Sequence, residues 1–279
     1  MSDQRVQDHY ASSGAGSVIA ARIIASLRSA AGADAAITPE TLAPFDHLHG
    51  RGVLATRELV ALLEPRPGEA ILDIGCGIGG PARWIAAGCG CTVTGVDLTA
   101  EFCDAAREFN TAAGMSDRVR IMQGSALALP VPDAAFDRAY SHNVMMNIAD
   151  KAGAYREAFR ALKPGGRLVL CHLNAGPNGP PEFPVPWAAV PENSFLATDE
   201  ETRSDLAAAG FEILTFHDTT QANLTANAAM RRKLETEELP PVGLHVLMGE
   251  RYRPLLINSL RAAEDGRTRS VEVVARKPR

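Results

Sequence analysis

Between residues 70 and 218 short apolar runs alternate with stretches that carry apolar residues at helical spacing. The runs are Ala70–Ile74, Thr92–Val96, Val119–Gln123, Phe136–Ser141, Arg167–His172 and Phe211–Asp218, with a last one at Arg269–Ala275. Their length and near-continuous hydrophobicity predict strands covered on both faces. Between them, Thr99 is a plausible N-cap for a helix that carries Phe102 and Phe109 and stops at Gly114. Asp150 caps one bearing Tyr155, Ala158, Phe159 and Leu162, and Thr198–Ala209 is closed by Gly210. Regular alternation of strand and helix predicts an α/β doubly wound parallel sheet.

The flanks read differently. Residues 1–16 are a polar arm around Asp8-His9-Tyr10, followed by a helix over Ser17–Ala31 with Ile19, Ile23, Ile24 and Leu27 on one stripe. That stripe is expected to cover the ligand cleft or a second subunit, the latter giving a homodimer. Thr38-Pro39-Glu40 opens a turn, Leu42–Gly52 is expected to cross the cleft mouth, and Val53–Leu63 is a helix set against the edge of the first strand. Six prolines between Asn174 and Thr198 exclude helix and interior strand there. Helices are expected over 222–238 and 245–264, separated by Pro240-Pro241. Residues 1–43 are thus an arm or cap, and 44–279 the main domain, with cap insertions at about 174–198 and 221–266. Lys163-Pro164-Gly165-Gly166 is a turn.

Ala70 to Gly80 organises the rest. A strand runs into Gly75, Gly77, Gly79 and Gly80, and Pro81 suits the first turn of a helix. A mouth of unpaired N–H groups is expected, hence a cofactor site. Gly75-x-Gly77-x-x-Gly80 fits the dinucleotide fingerprint, which alone is weak. Asp73 precedes the loop where a diphosphate would lie; like charges there repel, whereas a sulfonium or ammonium is attracted. Asp97 ends the second strand and suits ribose hydroxyls in either cofactor class.

With Leu72-Asp73-Ile74-Gly75-Cys76-Gly77, Gly95-Val96-Asp97-Leu98, Gly124-Ser125-Ala126-Leu127, Phe136-Asp137 and Leu162-Lys163-Pro164-Gly165-Gly166 in order, the sequence resembles the class I S-adenosylmethionine-dependent methyltransferases. It is most similar to the small-molecule enzymes of the sarcosine/dimethylglycine and ubiquinone-biosynthesis (type 11) kind, over roughly residues 44–220. The resemblance implies a Rossmann-like seven-stranded sheet whose last strand is antiparallel, and S-adenosylmethionine as cofactor. It also implies donor contacts from Asp73, Gly75, Gly77, Asp97, Leu98, Ser125, Ala126 and His142. Ser125 departs from the acid often found there, so its hydroxyl and the Ala126 N–H would hold the adenine.

Composition narrows the partners. A net charge of −5, with Lys and Arg scattered, argues against nucleic acid and for a small-molecule methyl acceptor. Five cysteines suit a reducing, cytoplasmic setting, and Cys89-x-Cys91 lacks the second pair of a zinc site, so no metal is expected. No apolar run is long enough for a membrane span.

Methyl transfer is an in-line displacement, so alignment and exclusion of water matter most. His142, after the fourth strand, is the candidate base, or else bonds a loop carbonyl. His47 and His49 are further candidates, one of them facing inward, with solvation the plainer outcome. Tyr10, Asn143 and Asn147 are candidates for closing over donor and substrate. Phe183 and Trp187 would form an aromatic wall or anchor their loop. Arg83 would hold Asp73 or a substrate acid, or be solvated. The reading is methyl transfer to nitrogen or oxygen of a small molecule. A NAD-dependent oxidoreductase and a non-catalytic donor-binding protein are the alternatives.

Overall fold

In the computed structural model of the chain the described residues are 5–7, 10, 16–49, 51–236 and 243–279. The elements are α1 (Gly16–Ala31), α2 (Pro39–Asp46), α3 (Val53–Leu63), β1 (Ala70–Ile74), α4 (Gly80–Cys89), β2 (Thr92–Asp97), α5 (Ala100–Ala112) and β3 (Val119–Gln123). They continue with β4 (Phe136–His142), α6 (Lys151–Ala161), β5 (Leu162–Ala175), α7 (Asp199–Ala208), β6 (Glu212–Asp218), α8 (Thr220–Thr236), α9 (His245–Met248), α10 (Tyr252–Glu264) and β7 (Thr268–Arg276).

The strands form one seven-stranded sheet in the order β3-β2-β1-β4-β5-β7-β6. The pairs from β3 to β5 are parallel, and β7 is antiparallel to β5 and β6. This is the doubly wound topology expected from the alternation, with the last strand inserted before β6.

Successive β1 side chains serve opposite cores, which is why the run is apolar throughout. Ile71 packs with Leu59 and Leu63 of α3 and Ile85 of α4. Leu72 packs with Tyr155 and Ala158 of α6 and Leu206 of α7 on the other face. The crevice at the carboxyl ends of β1, β2 and β4 is where chain order reverses, the place where open sheets bind ligands.

Several expectations are corrected. The α1 stripe of Ile19, Ile23 and Leu27 is buried against Phe102, Ala105 and Phe109, so it docks on α5 rather than over the cleft or a second copy. Helix α3 does not lie at an edge of β1, because β1 is paired on both sides. Instead, Arg138 of β4 and Arg167 of β5 donate to the Leu63 and Leu62 carbonyls at its C-terminus, at 2.8 and 2.7 Å.

Thr38 begins a helix, not a turn: it and Thr41 form a reciprocal capping box ahead of Pro39–Asp46. Thr99 precedes α5 without a side-chain cap bond. Lys163–Gly166 is absorbed into β5, where Gly165 takes φ +82° and the register with β4 shifts. The helix expected over 245–264 breaks at Gly249, whose φ is +59°. Asp8, His9, Pro240 and Pro241 lie outside the described residues.

Candidate functional site

A cleft of about 890 Å3, open to solvent, lies over the β1–α4 turn. Its floor is Gly75, Gly77 and Asp97, and one wall is Leu98, Phe102, Ser125 and Ala126. The opposite wall is His142, Asn143 and Asn147, with Tyr10 above. A smaller cavity adjoins it and shares Leu48, Gly75, Gly77 and His142; Asp46, His49, Asp73, Cys76, Pro81 and Tyr140 complete it.

The glycine loop is not the mouth of unpaired amides that the glycine spacing suggests. Gly75 and Cys76 both donate to the Val96 carbonyl, at 2.8 and 3.1 Å, and Gly79 donates to Cys76. Gly77 donates to Oδ2 of Asp97 at 2.8 Å. With these amides committed inside the protein, the turn offers little to a diphosphate, which is held elsewhere by such groups. Gly75 sits at φ +82°, and a Cβ there would lie 2.3 Å from Val144, so this position needs glycine twice over.

Asp97 also accepts the Thr99 amide at 2.9 Å through Oδ1. Burial raises its pKa, and the Thr99 and Gly77 amides counter that. Tyr10 donates to Oδ1 of Asn147 at 3.0 Å and meets Phe102 edge-on, with ring centroids 5.8 Å apart. Burial and then the Asp97 charge raise the phenol pKa, which keeps it a donor. Asn147 in turn donates to the Trp187 carbonyl at 2.6 Å. The Ser125 hydroxyl accepts the Leu127 amide at 3.2 Å within its own turn. Asn143 follows β4 in the left-handed region, φ +56°, which asparagine tolerates.

Asp73 is buried below the loop and accepts the Tyr140 hydroxyl at 2.7 Å. Burial raises its pKa to about 7, the Tyr140 bond opposes this, and the Asp97 charge adds to it. The carboxyl is therefore half-protonated near neutrality, and an adjacent cation would ionise it.

His142 lies flat on His49, ring centroids 3.7 Å apart at 12°. Burial and then the neighbouring His49 and His47 push the His142 pKa well below its ordinary value. Both His47 and His49 are buried, correcting the expectation of solvation, and of the two His49 alone lines a cavity. His47 turns to Thr56, and its pKa falls to about 4 through burial and the Arg83 charge.

Arg83 is not solvated, and its carboxylate partner is Asp46 rather than Asp73. It is fully buried, donating to Asp46 at 2.8 Å, to Asn110 at 2.9 Å and to the Ile78 carbonyl at 2.6 Å.

Phe183 and Trp187 line neither cavity. Trp187 packs with Met146, Val185 and Ala188 and donates to Ser194 at 2.9 Å, so both rings serve a small core under the Pro-rich loop. No described residue of 174–198 or 221–266 lines either cavity. Those segments are tied to each other, Asn258 donating to the Pro184 carbonyl at 2.9 Å.

Sequence reasoning missed Asp46, Thr56, Leu48, Phe102 and Tyr140. Asp46 and Leu48 lie inside the segment expected to cross the cleft mouth, but Thr56 and Tyr140 read as ordinary element positions. Among the described residues no cluster fits a metal ion, and no helix is long and apolar enough to cross a membrane.

Residues 72–170 match the family model described as a methyltransferase domain. A curated relative, the 24-methylenesterol C-methyltransferase 2 of Oryza sativa subsp. japonica, is 40% identical over 122 residues, 43% of this chain and 34% of that protein. The chain spans less than half the length of the curated relatives it matches. Among solved structures, a Haemonchus contortus phosphoethanolamine N-methyltransferase 2, bound to phosphomonomethylethanolamine and S-adenosylhomocysteine, aligns with TM-score 0.70 at 21% identity. It covers 84% of this chain and 55% of that one. The [4+2]-cyclase SpnF aligns at 25% identity and TM-score 0.67 over 99% of this chain and 97% of its own.

Proposed function

We propose, taking the methyltransferase domain at residues 72–170 as the premise, that the chain transfers a methyl group from S-adenosylmethionine to a small molecule. The observation that carries this is the pairing of the loop amides. Gly75, Cys76 and Gly77 donate to Val96 and Asp97, so the turn suits a nucleoside without phosphate and argues against a nicotinamide dinucleotide.

The residues fit this cofactor. Asp97 would meet the ribose hydroxyls, Leu98 and Phe102 would flank the adenine, and Ser125 with the Ala126 amide would meet its edge. Asp73, on the wall of the small cavity, would answer the positive charge of the methionine end. Bound there, the cofactor supplies an electrophilic methyl on sulfonium sulfur. The protein orients the acceptor and keeps water out, through Tyr10 over the cleft and the paired Tyr10–Asn147 contact. His142, on the wall shared by both cavities, is the group positioned to take a proton from the acceptor.

Calorimetric titration tests the cofactor class. S-adenosylhomocysteine is expected to bind and NADH not to; the reverse result removes the reading. Labelled donor with an acceptor panel tests transfer. A second reading, a cyclase on the same scaffold, is favoured by the end-to-end similarity to SpnF. It requires ring formation without consumption of the methyl donor.

A further inference from the structure

Beside the cleft four side chains form an ordered array. The Thr56 hydroxyl, fully buried on α3, lies 2.7 Å from Nδ1 of His47 and 3.2 Å from Nε2 of His49. A hydroxyl has one hydrogen, so it donates to one ring and must accept an N–H from the other. Nε2 of His47 faces Oδ1 of Asp46 at 3.7 Å, and neither atom has a hydrogen-bond partner among the described residues. That decides the direction. A hydrogen on Nε2 of His47 points an N–H at a carboxylate, whereas the other tautomer sets a lone pair against it. Nδ1 of His47 therefore accepts from Thr56, and Thr56 accepts from Nε2–H of His49. The ring of His49 is held flat on His142.

The acceptor side of the site is equally specific. No Lys or Arg is among the described residues lining either cavity, so a phosphate-bearing acceptor would find no counter-charge there. An amine reaches the reactive state by losing a proton to water, but a hydroxyl must give its proton up during transfer.

The geometry points to an Asp46–His47–Thr56–His49 chain that positions His142 to take the proton of a hydroxyl group on an uncharged small-molecule acceptor. This rests on the methyl-transfer reading. In the step, the acceptor oxygen bonds the methyl carbon and the carbon–sulfur bond breaks with its electron pair left on sulfur. The hydroxyl proton passes to His142 and from there to water. Thr56 and His47 touch neither partner; they are positioning residues, fixing one tautomer of His49 and hence the face that His142 stacks against. Burial and then His49, His47, Arg51 and His172 disfavour charge on His142, with Asp46 and Asp73 on the cavity wall, so the ring is neutral in the resting site and the proton it takes is passed on to water.

The test is nitrogen-15 NMR of the histidine rings in the ligand-free chain, together with steady-state kinetics. In the unsubstituted protein His49 is expected as the Nε2–H tautomer. Thr56→Val is expected to mix its tautomers, lower kcat on a hydroxyl acceptor at least tenfold, shift the acidic limb of the pH profile and leave donor KM unchanged. Thr56→Ser is expected to restore all of these. An Nδ1–H tautomer of His49 in the unsubstituted protein, or a tautomer unmoved by Thr56→Val, overturns the chain. Transfer to amines but not to alcohols or phenols overturns the acceptor class. Because the NMR readout needs no donor, the chain can fail while methyl transfer stands, and the reverse.

Discussion

The Asp97 carboxylate holds the Gly77 amide at 2.8 Å across 20 residues of chain, joining the end of β2 to the turn after β1. One side chain thereby fastens the loop and occupies the floor of the larger cleft. The acid that would bind the ribose is thus already oriented, and orienting it on binding costs nothing further.

Asp97→Ala is expected to weaken S-adenosylhomocysteine binding at least tenfold. Each charged hydrogen bond lost is worth roughly 1.5–3 kcal/mol, and 1.4 kcal/mol is a factor of ten. Calorimetry measures it; unchanged affinity would remove the ribose role.

Donor binding should depend on pH through Asp73. Its folded pKa is about 7 because burial disfavours the charge, and a bound ammonium or sulfonium favours it. Affinity is expected to rise between about pH 6 and about pH 8 and then level off, and the Asp73→Asn variant should show a flat profile. In the ligand-free protein the sign is opposite: the folded state keeps a proton that the unfolded chain releases. That contribution to stability is present at low pH and lost as the pH rises through about 7.

His172 works the other way. Burial and then the Lys151 charge lower its pKa to about 4, so the unfolded chain binds the proton first. Its contribution to stability is present above the ordinary histidine pKa and is lost as the pH falls toward about 4. A shift of that size corresponds to on the order of 3 kcal/mol. His172→Leu should therefore flatten the acid side of a denaturation-midpoint profile. An unchanged slope would show that other groups govern it.

Arg83→Leu leaves the Asp46 carboxylate buried without its partner and should cost about 3–5 kcal/mol in urea denaturation. Removing both charges, with Arg83→Leu and Asp46→Leu together, should recover part of that loss. A double variant no more stable than the single would show that packing, not charge, sets the penalty.

Strand and helix positions were legible because each is written into neighbouring residues. Ala70–Ile74 is apolar but for Asp73 and bounded by Gly75, and Asp150 caps the helix that follows it, its side chain accepting the Gly153 amide. The loop acids were legible too, since Asp73 and Asp97 end strands on either side of one turn. Phe183 and Trp187 misled because an aromatic in a proline-rich loop reads the same whether it faces a ligand or its own small core.

The sequence by itself determined the order of elements, the sheet class and the glycine turn with its two acids, since period, caps and turns act over a few residues. Only the tertiary structure decided that Gly77 spends its amide on Asp97, that Arg83 is buried on Asp46, and that Thr56 stands between two histidines. Those meetings join residues from 7 to 37 positions apart. They follow from sheet register and helix docking, which place side chains together that no local pattern relates.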